Sequence, residues 1–139
     1  MIDKYYEKSA LTGIFVYGSL LAGESNHRVL QGCKFLGEVK TKCGYELVNL
    51  GLYPAMVIGD GQKQVKGALY LVSKSVLRRM DHLEGHPDYY RRVHIALEDG
   101  RKVQSYLLPR QQAAGFPLID SGDWRTWKKD EITSFLQSL

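Results

Sequence analysis

Glu84 is the residue with the clearest chemical potential, because it lies at the end of an amphipathic helix predicted from Ser73 to Gly85. The apolar residues of this segment follow one stripe of a 3.6-residue period: Val76, Leu77, Met80 and Leu83. Glu84 follows Met80 by four residues, so a helix that persists to its end carries the carboxylate on this stripe. Burial and the negative end of the helix would both raise the pKa of Glu84 toward neutrality, the range that suits a proton carrier.

A second interpretation of Glu84 follows from the uncertainty of helix ends. If the helix frays before Gly85, the carboxylate points into water and can pair with Arg91 or Arg92. Periodicity alone leaves both interpretations open.

The tetrapeptide Tyr17-Gly18-Ser19-Leu20 is the second candidate for chemistry. It follows an apolar run, I-F-V-Y at 14–17, that is typical of a buried strand, and it precedes a segment that could form one or two helical turns. Backbone N–H groups at such a bend have no ladder partner and can converge on an anion or an oxyanion. A plain strand terminus is the alternative, and Ser19 lacks the G-x-S-x-G surroundings of a serine nucleophile.

Metal, redox and disulfide chemistry have little support in the sequence. Cys33 and Cys43 are ten residues apart without a C-x-x-C pattern, which indicates two free thiols. The four histidines show no metal-ligand spacing. Among the nine tyrosines, Tyr53 beside Pro54 and the pair at 89–90 near Glu84 could line a pocket.

The elements that must position these residues are short strands and few helices. Glycine-rich turns recur every eight to twelve residues from Phe35 to Ser73, which indicates several short strands. The pair Asp99-Gly100 predicts a long antiparallel hairpin. Ser73 and Gly85 cap the first helix, and Asp123 begins a last one with its apolar positions at Trp124, Trp127, Ile132, Phe135 and Leu136. We therefore predict an α+β fold, a small, mostly antiparallel β-barrel with flanking short helices.

Length and composition are those of an ordinary globular protein and exclude disordered, collagen-like and coiled-coil chains. With 139 residues, 44% of them hydrophobic and no low-complexity tract or internal repeat, we expect one domain over residues 1–139. The net charge of +4 comes from scattered basic pairs, which favours a solvated surface over a nucleic-acid site. Residues 1–8 lack a leader pattern and no apolar run is long enough for a membrane span, so we expect a cytoplasmic protein that binds neither nucleic acid nor membrane.

Several motifs, which occur in the same order as in the γ-glutamylcyclotransferase family, give the chain a resemblance to that family, in its AIG2-like, γ-glutamylamine cyclotransferase branch. They are F-V-Y-G-S-L-L-A-G at 15–23, N-H-R-V-L at 26–30, Y-P-A-M-V at 53–57, V-K-G-A-L-Y at 65–70, M-D-H-L-E-G-H-P-D-Y-Y-R-R at 80–92 and S-G-D-W-R at 121–125. The specific part is the combination of Y-G-S-L with a helix-terminal Glu followed by P-x-x-Y.

The resemblance implies a reaction on a small-molecule γ-glutamyl substrate. The α-amine attacks its own γ-carbonyl, which releases an amine and leaves 5-oxoproline without metal, cofactor or covalent enzyme intermediate. On this basis Glu84 shuttles protons, while the backbone at Gly18, Ser19 and Leu20 holds the substrate carboxylate or the oxyanion. Tyr17, Tyr53 and Tyr90 match positions near the family's cavity and are expected to bind substrate.

Two hypotheses from other classes compete with the enzyme. The same barrel could retain a small carboxylate ligand or a partner protein without turnover, as a binding module. A basic barrel that binds nucleic acid is the third possibility. The identity of the leaving amine and the oligomeric state are not encoded in these motifs.

Overall fold

The computed structural model describes residues 11–139, which form a seven-stranded mixed sheet with two α-helices and two short 3-10 helices. The opening segment 1–8, in which the sequence shows no leader pattern, lies outside the described residues. The strands are β1 (Thr12–Val16), β2 (Lys34–Lys40), β3 (Tyr45–Asn49), β4 (Pro54–Ile58), β5 (Lys66–Val72), β6 (Arg91–Ala96) and β7 (Lys102–Leu107). The helices are α1 (Lys74–Glu84) and α2 (Trp124–Ser138), and the 3-10 helices are His27–Leu30 and Arg110–Ala113.

The predicted α+β class is confirmed, but the predicted barrel is wrong because the sheet does not close. The strand order is β2-β5-β1-β7-β4-β3, and β6 pairs with β7 beside this path. Four strand pairs are antiparallel, whereas β7 meets β1 and β4 in parallel through one registered residue pair each. A sheet closes into a barrel only if the tilt and the register stagger of all its strands are compatible around the barrel. The spacing of turns along the chain does not determine either quantity.

Alternating side chains of the central strands build two apolar clusters on opposite faces of the sheet. Along β1, Ile14 and Val16 belong to one cluster, and Phe15 belongs to the other. This follows from the period of two residues in a strand. Helix α1 covers the first cluster with Val76 and Met80, so its end reaches the same region of the molecule as the end of β1.

Both ends of helix α1 lie where the sequence predicts them. The Ser73 hydroxyl accepts a hydrogen bond from the Val76 N–H at 3.3 Å, which satisfies one of the free donors of the first turn. Gly85 adopts the left-handed conformation (φ 68°, ψ 31°), and its N–H bonds back to carbonyls of the last turn. The helix therefore continues through Glu84 and does not fray before it.

Helix α2 begins at the predicted cap, where the Asp123 carboxylate accepts from the N–H groups of the first turn. Trp124 is buried, but Ile132, Phe135 and Leu136 are largely exposed. The apolar spacing thus predicted the helix correctly, although only its beginning packs on the described part of the molecule. No helix within residues 11–139 is both long and apolar enough to cross a membrane.

The predicted hairpin is present as β6 and β7, joined through Asp99 and Gly100, and Gly100 has the positive φ of 91° that this turn needs. Cys33 and Cys43 are free thiols, as predicted. Within residues 11–139, no group of three or more His, Cys, Asp and Glu side chains is arranged to hold a metal ion.

Candidate active site

A cavity of about 150 Å³ lies between the end of β1 and the end of α1. Its wall contains residues 17–20, Tyr53, Glu84 and Tyr90, the seven residues to which the resemblance gives catalytic or binding roles. Tyr89, also predicted as a possible pocket residue, lies beside the wall against Tyr53 and Tyr90. The structure therefore brings the helix-terminal carboxylate and the Y-G-S-L bend to one small space.

The side chain of Glu84 is partly buried, and burial raises its pKa to about 7. Desolvation disfavours the charged form of a carboxyl group, and it is the cause that acts here. Among the described residues, no cation forms a salt bridge with Glu84: Arg92 pairs instead with Asp81, at 2.9 Å. The interpretation in which Glu84 points freely into water beside an arginine does not fit this arrangement.

The bend after β1 is held by backbone and side-chain hydrogen bonds. The Leu21 N–H donates to the Gly18 carbonyl at 3.0 Å, and the Asn26 N–H donates to the Ser19 carbonyl at 2.8 Å. The Asn26 side-chain amide donates to the Ser19 hydroxyl at 3.0 Å. Ser19 is thus tied from two sides, which shows how the loop of residues 21–26 supports the bend.

Three backbone donors of the bend are free. Within the described residues, the N–H groups of Gly18, Ser19 and Leu20 donate to no protein acceptor. Gly18 also packs tightly: a Cβ atom there would lie 2.8 Å from Cγ of Pro54. Adjacent free N–H groups on a cavity wall can bind a carboxylate or stabilise an oxyanion.

The predicted tyrosines line the cavity in different ways. The Tyr17 hydroxyl donates to the Tyr106 carbonyl at 2.6 Å and accepts from the Met56 N–H at 3.1 Å. The Tyr90 hydroxyl donates to the Pro54 carbonyl at 2.8 Å. These two hydroxyls join neighbouring strands, and burial raises both pKa values further above the usual range, so both phenols stay protonated.

Tyr53 differs because its ring lies at the mouth and its hydroxyl pairs with that of Tyr89 at 3.3 Å. This hydrogen bond, together with burial, raises the pKa of Tyr89 to about 12. Tyr89 also packs edge-on against Tyr90, with ring centroids 5.0 Å apart. A small aromatic cluster therefore borders the entrance.

A comparison with protein families shows which family this chain belongs to. A family profile described as "Gamma-glutamyl cyclotransferase, AIG2-like" matches residues 14–126, most of the chain. The chain belongs to this family. Relatives of the γ-glutamylcyclotransferase family include a provisionally named γ-glutamylcyclotransferase of Methanocaldococcus jannaschii, 38% identical over 83% of this chain and 97% of its own length. Another is the family protein YtfP of Escherichia coli, 34% identical over 80% of this chain and 94% of its own.

Two solved structures have a fold similar to this chain. A mouse AIG2-like protein has a TM-score of 0.66 at 28% identity and covers 81% of this chain and 88% of its own. An uncharacterised protein from Pyrococcus horikoshii has a TM-score of 0.71, also at 28% identity, and covers 88% of this chain and 97% of its own. The predicted resemblance to this family is confirmed.

In this γ-glutamylcyclotransferase family member, the cavity wall also contains six residues that were not predicted as site residues: Phe15, Val16, Asn26, Pro54, Leu83 and Tyr106. Leu83 was predicted on the stripe that faces the core, but 42% of it is exposed at the rim. Asn26 is a cap-type residue before a short helix and begins the N-H-R-V-L motif, but neither signal placed its side chain at the site. No local signal in the sequence distinguishes Tyr106 from the other strand tyrosines.

Sequence reasoning also missed the ion pair that ties the end of helix α1 to the hairpin. Arg92 Nε donates to Asp81 at 2.9 Å, and the Tyr106 hydroxyl donates to the same carboxylate at 2.6 Å. Burial opposes the charged form, but these two partners prevail and hold the pKa of Asp81 below its usual value. The pair connects the last turn of α1 to β6 and β7.

Proposed function

We propose that this protein cyclises a γ-glutamyl amide to 5-oxoproline with release of an amine, and that Glu84 is the general acid and base. The observation that carries the proposal is the presence of Glu84 and the Y-G-S-L bend on the wall of one cavity. Membership of the γ-glutamylcyclotransferase family supports the reaction class. The site residues and the substrate are part of the proposal.

The proton balance of the cyclisation requires a group that both accepts and returns protons. The substrate α-ammonium loses two protons on its way to the lactam nitrogen, and the departing nitrogen gains two on its way to a free ammonium. A carboxyl group with a pKa of about 7 is available in both forms near neutral pH. Glu84 therefore takes the two protons from the attacking nitrogen one after the other, passes each to the leaving nitrogen and ends the cycle unchanged.

The free N–H groups of Gly18, Ser19 and Leu20 supply the second requirement. As the α-amine attacks the γ-carbonyl, negative charge develops on the carbonyl oxygen, and the substrate also carries a permanent α-carboxylate. Both anions fit neighbouring backbone donors in a small, partly desolvated space. We propose that these three N–H groups donate hydrogen bonds to the γ-carbonyl oxygen, to the α-carboxylate or to both.

The remaining requirement is the conformation of the substrate. Ring closure is intramolecular, so the protein gains most by holding the amine about 3–3.5 Å from the carbonyl carbon. The rings of Tyr17 and Tyr90, held by hydrogen bonds to backbone carbonyls, form rigid walls for a folded glutamyl chain. The small cavity between these rings, about 150 Å³, is the space that we assign to this chain.

A substrate panel tests the proposed function. Purified protein is incubated with γ-glutamyl-ε-lysine and a series of other γ-glutamyl amides, and 5-oxoproline and the free amine are measured together. We expect both products in equal amounts for at least one compound. Binding of these compounds by calorimetry without any 5-oxoproline would contradict the proposal and favour the binding module. A salt-sensitive shift of labelled RNA or DNA would favour the nucleic-acid alternative.

A further inference from the structure

The bend that carries the three free N–H groups continues into a loop of successive turns. Residues 18–26 lie between the end of β1 and the 3-10 helix His27–Leu30, and within this segment the backbone belongs to no strand or helix. A strand ladder therefore cannot fix the position of these N–H groups. Their position depends on individual hydrogen bonds between the loop and the structure around it.

The side chain of Glu24 ties this loop to helix α2. The indole N–H of Trp124 donates to Glu24 Oε1 at 3.1 Å, and Lys128 Nζ donates to the same oxygen at 2.7 Å. Lys128 Nζ also lies 5.8 Å from the centre of the Trp124 ring. Only 12% of the Glu24 side chain is exposed, so the two donors compensate for the water that its charge has lost. The contact joins residues that are 100 positions apart in the chain.

The start of α2 is a firm support for this contact. Trp124 is 3% exposed and packs in the apolar cluster that contains Phe15. The carboxylate of Asp123 caps the helix, and the Gly122 carbonyl accepts from the N–H of Lys66 on β5 at 2.8 Å. Trp124 is therefore fixed by the core and the sheet, and the loop takes its position from the helix.

Short hydrogen bonds connect Glu24 to the bend. The Glu24 N–H donates to the Leu21 carbonyl at 2.9 Å, and the Leu21 N–H donates to the Gly18 carbonyl. On the other side of Glu24, Asn26 binds both the carbonyl and the hydroxyl of Ser19. A displacement of Glu24 is thus passed to the bend from both sides.

We propose that Glu24 is a positioning residue of the cavity: Trp124 and Lys128 hold its carboxylate, which fixes the loop of residues 21–26 and thereby the free N–H groups of the bend. Glu24 is absent from the described cavity wall, so it acts through the loop and does not touch the substrate. This inference rests on the proposed function, because it concerns the groups that we assign to the substrate oxygens.

Two variants of Glu24 test the role of its carboxylate on kcat/KM for the γ-glutamyl amide that the substrate panel identifies. We expect Glu24→Ala to lower kcat/KM about tenfold, because ring closure is sensitive to small displacements of the groups that position the substrate. Glu24→Gln should retain most of the activity, since its amide oxygen still accepts from both donors. The midpoint of the pH profile should not move, because Glu24 does not contribute to the pKa of Glu84.

Two matched pairs of variants test the partners on α2. Trp124→Phe keeps a ring but removes the indole donor, whereas Trp127→Phe changes the neighbouring indole, which stacks on Trp124 at 5.1 Å and makes no hydrogen bond with Glu24. Lys128→Met removes the cation, and Lys129→Met is its control on the exposed side of the helix. We expect a several-fold lower kcat/KM in Trp124→Phe and Lys128→Met and native values in both controls.

The amide signals of Gly18, Ser19 and Leu20 in ¹⁵N–¹H spectra measure the position of the bend without any substrate. We expect these signals to shift in Glu24→Ala and Trp124→Phe and to stay in place in Trp127→Phe. Unmoved signals or an unchanged kcat/KM in Glu24→Ala would overturn the proposal. If no γ-glutamyl amide is cyclised at all, the proposed function fails, and the amide signals still decide whether Glu24 positions the bend.

Discussion

Asp81 and Glu84 lie one turn apart on helix α1, yet their carboxyl groups have opposite pKa shifts. Burial acts on both, but at Asp81 the hydrogen bonds from Arg92 and Tyr106 outweigh it and lower the pKa. Among residues 11–139 no such partner acts on Glu84, and burial raises the pKa to about 7. One carboxylate thus anchors the helix end, and the other is left free to exchange a proton.

Replacement of Glu84 by glutamine removes the proton carrier but keeps the size of the side chain. We expect kcat of Glu84→Gln to fall by at least about 10²-fold while ligand affinity changes little, measured by release of 5-oxoproline and by calorimetry. Glu131→Gln on the exposed face of α2 is the matched control and keeps full activity. Undiminished turnover in Glu84→Gln would remove Glu84 from the mechanism.

The pH dependence of kcat/KM follows from the role of Glu84 as the initial proton acceptor. Only the carboxylate form can take a proton from the substrate ammonium, so kcat/KM should fall as the pH drops below about 7. The decrease should approach tenfold per pH unit. Initial rates at low substrate concentration between pH 5 and pH 8 measure this. A flat profile across that range would exclude a group with this pKa as the base.

The same pKa shift makes a prediction about stability. In the folded protein Glu84 binds its proton more tightly than in the unfolded chain, where the ordinary value of 4.5 applies. The folded state is therefore penalised as the pH rises from about 4.5 through about 7, and the penalty persists above it. Glu84→Gln escapes this penalty.

We expect Glu84→Gln to be more stable than the native protein at pH 8, by about 1–2 kcal/mol once solvent screening is allowed for, and equally stable near pH 4. Urea unfolding at both pH values measures the difference. A Glu84→Gln variant that is less stable at pH 8 would show that the carboxylate has a stabilising partner in solution.

The bend at Gly18 has no room for a side chain. A Cβ atom there would lie 2.8 and 2.9 Å from two ring carbons of Pro54, so Gly18→Ala must displace the bend or the start of β4. Because small displacements of positioning groups are costly, we expect kcat/KM to fall by about 10- to 100-fold. Ala22→Ser, an exposed change in the same loop, is the control. Native activity in Gly18→Ala would contradict a role for these N–H groups.

The ion pair between Asp81 and Arg92 should contribute to stability more than a surface pair does. Both side chains are about four-fifths buried (22% exposed), so Asp81→Asn leaves the Arg92 charge and the Tyr106 hydroxyl with a weaker partner. We expect a loss of about 1–3 kcal/mol in the free energy of unfolding. Asp99→Asn breaks a fully exposed pair with Arg101 and should cost clearly less than Asp81→Asn. Equal effects of the two changes would contradict this ranking.

Several features of the site were predictable because they depend on neighbours in the chain. The Ser73 cap, the Gly85 stop and the apolar period predict that α1 continues through Glu84, and the structure has these ends. The Asp99-Gly100 turn is equally local. Leu83 shows the limit of periodicity, since the same stripe that turns Met80 into the core leaves Leu83 on the rim.

The sequence by itself determined the short strands, the capped helices and the two motifs that carry chemistry, because capping and turn formation act over a few residues. Only the tertiary structure decided that the sheet stays open, that Arg92 pairs with Asp81 and not with Glu84, and that Tyr53 meets Tyr89. These outcomes depend on contacts between distant parts of the chain, such as the hydrogen bond from Tyr17 to Tyr106 across 89 residues. The pKa of Glu84 is of this second kind, because desolvation depends on everything that packs around the carboxyl group.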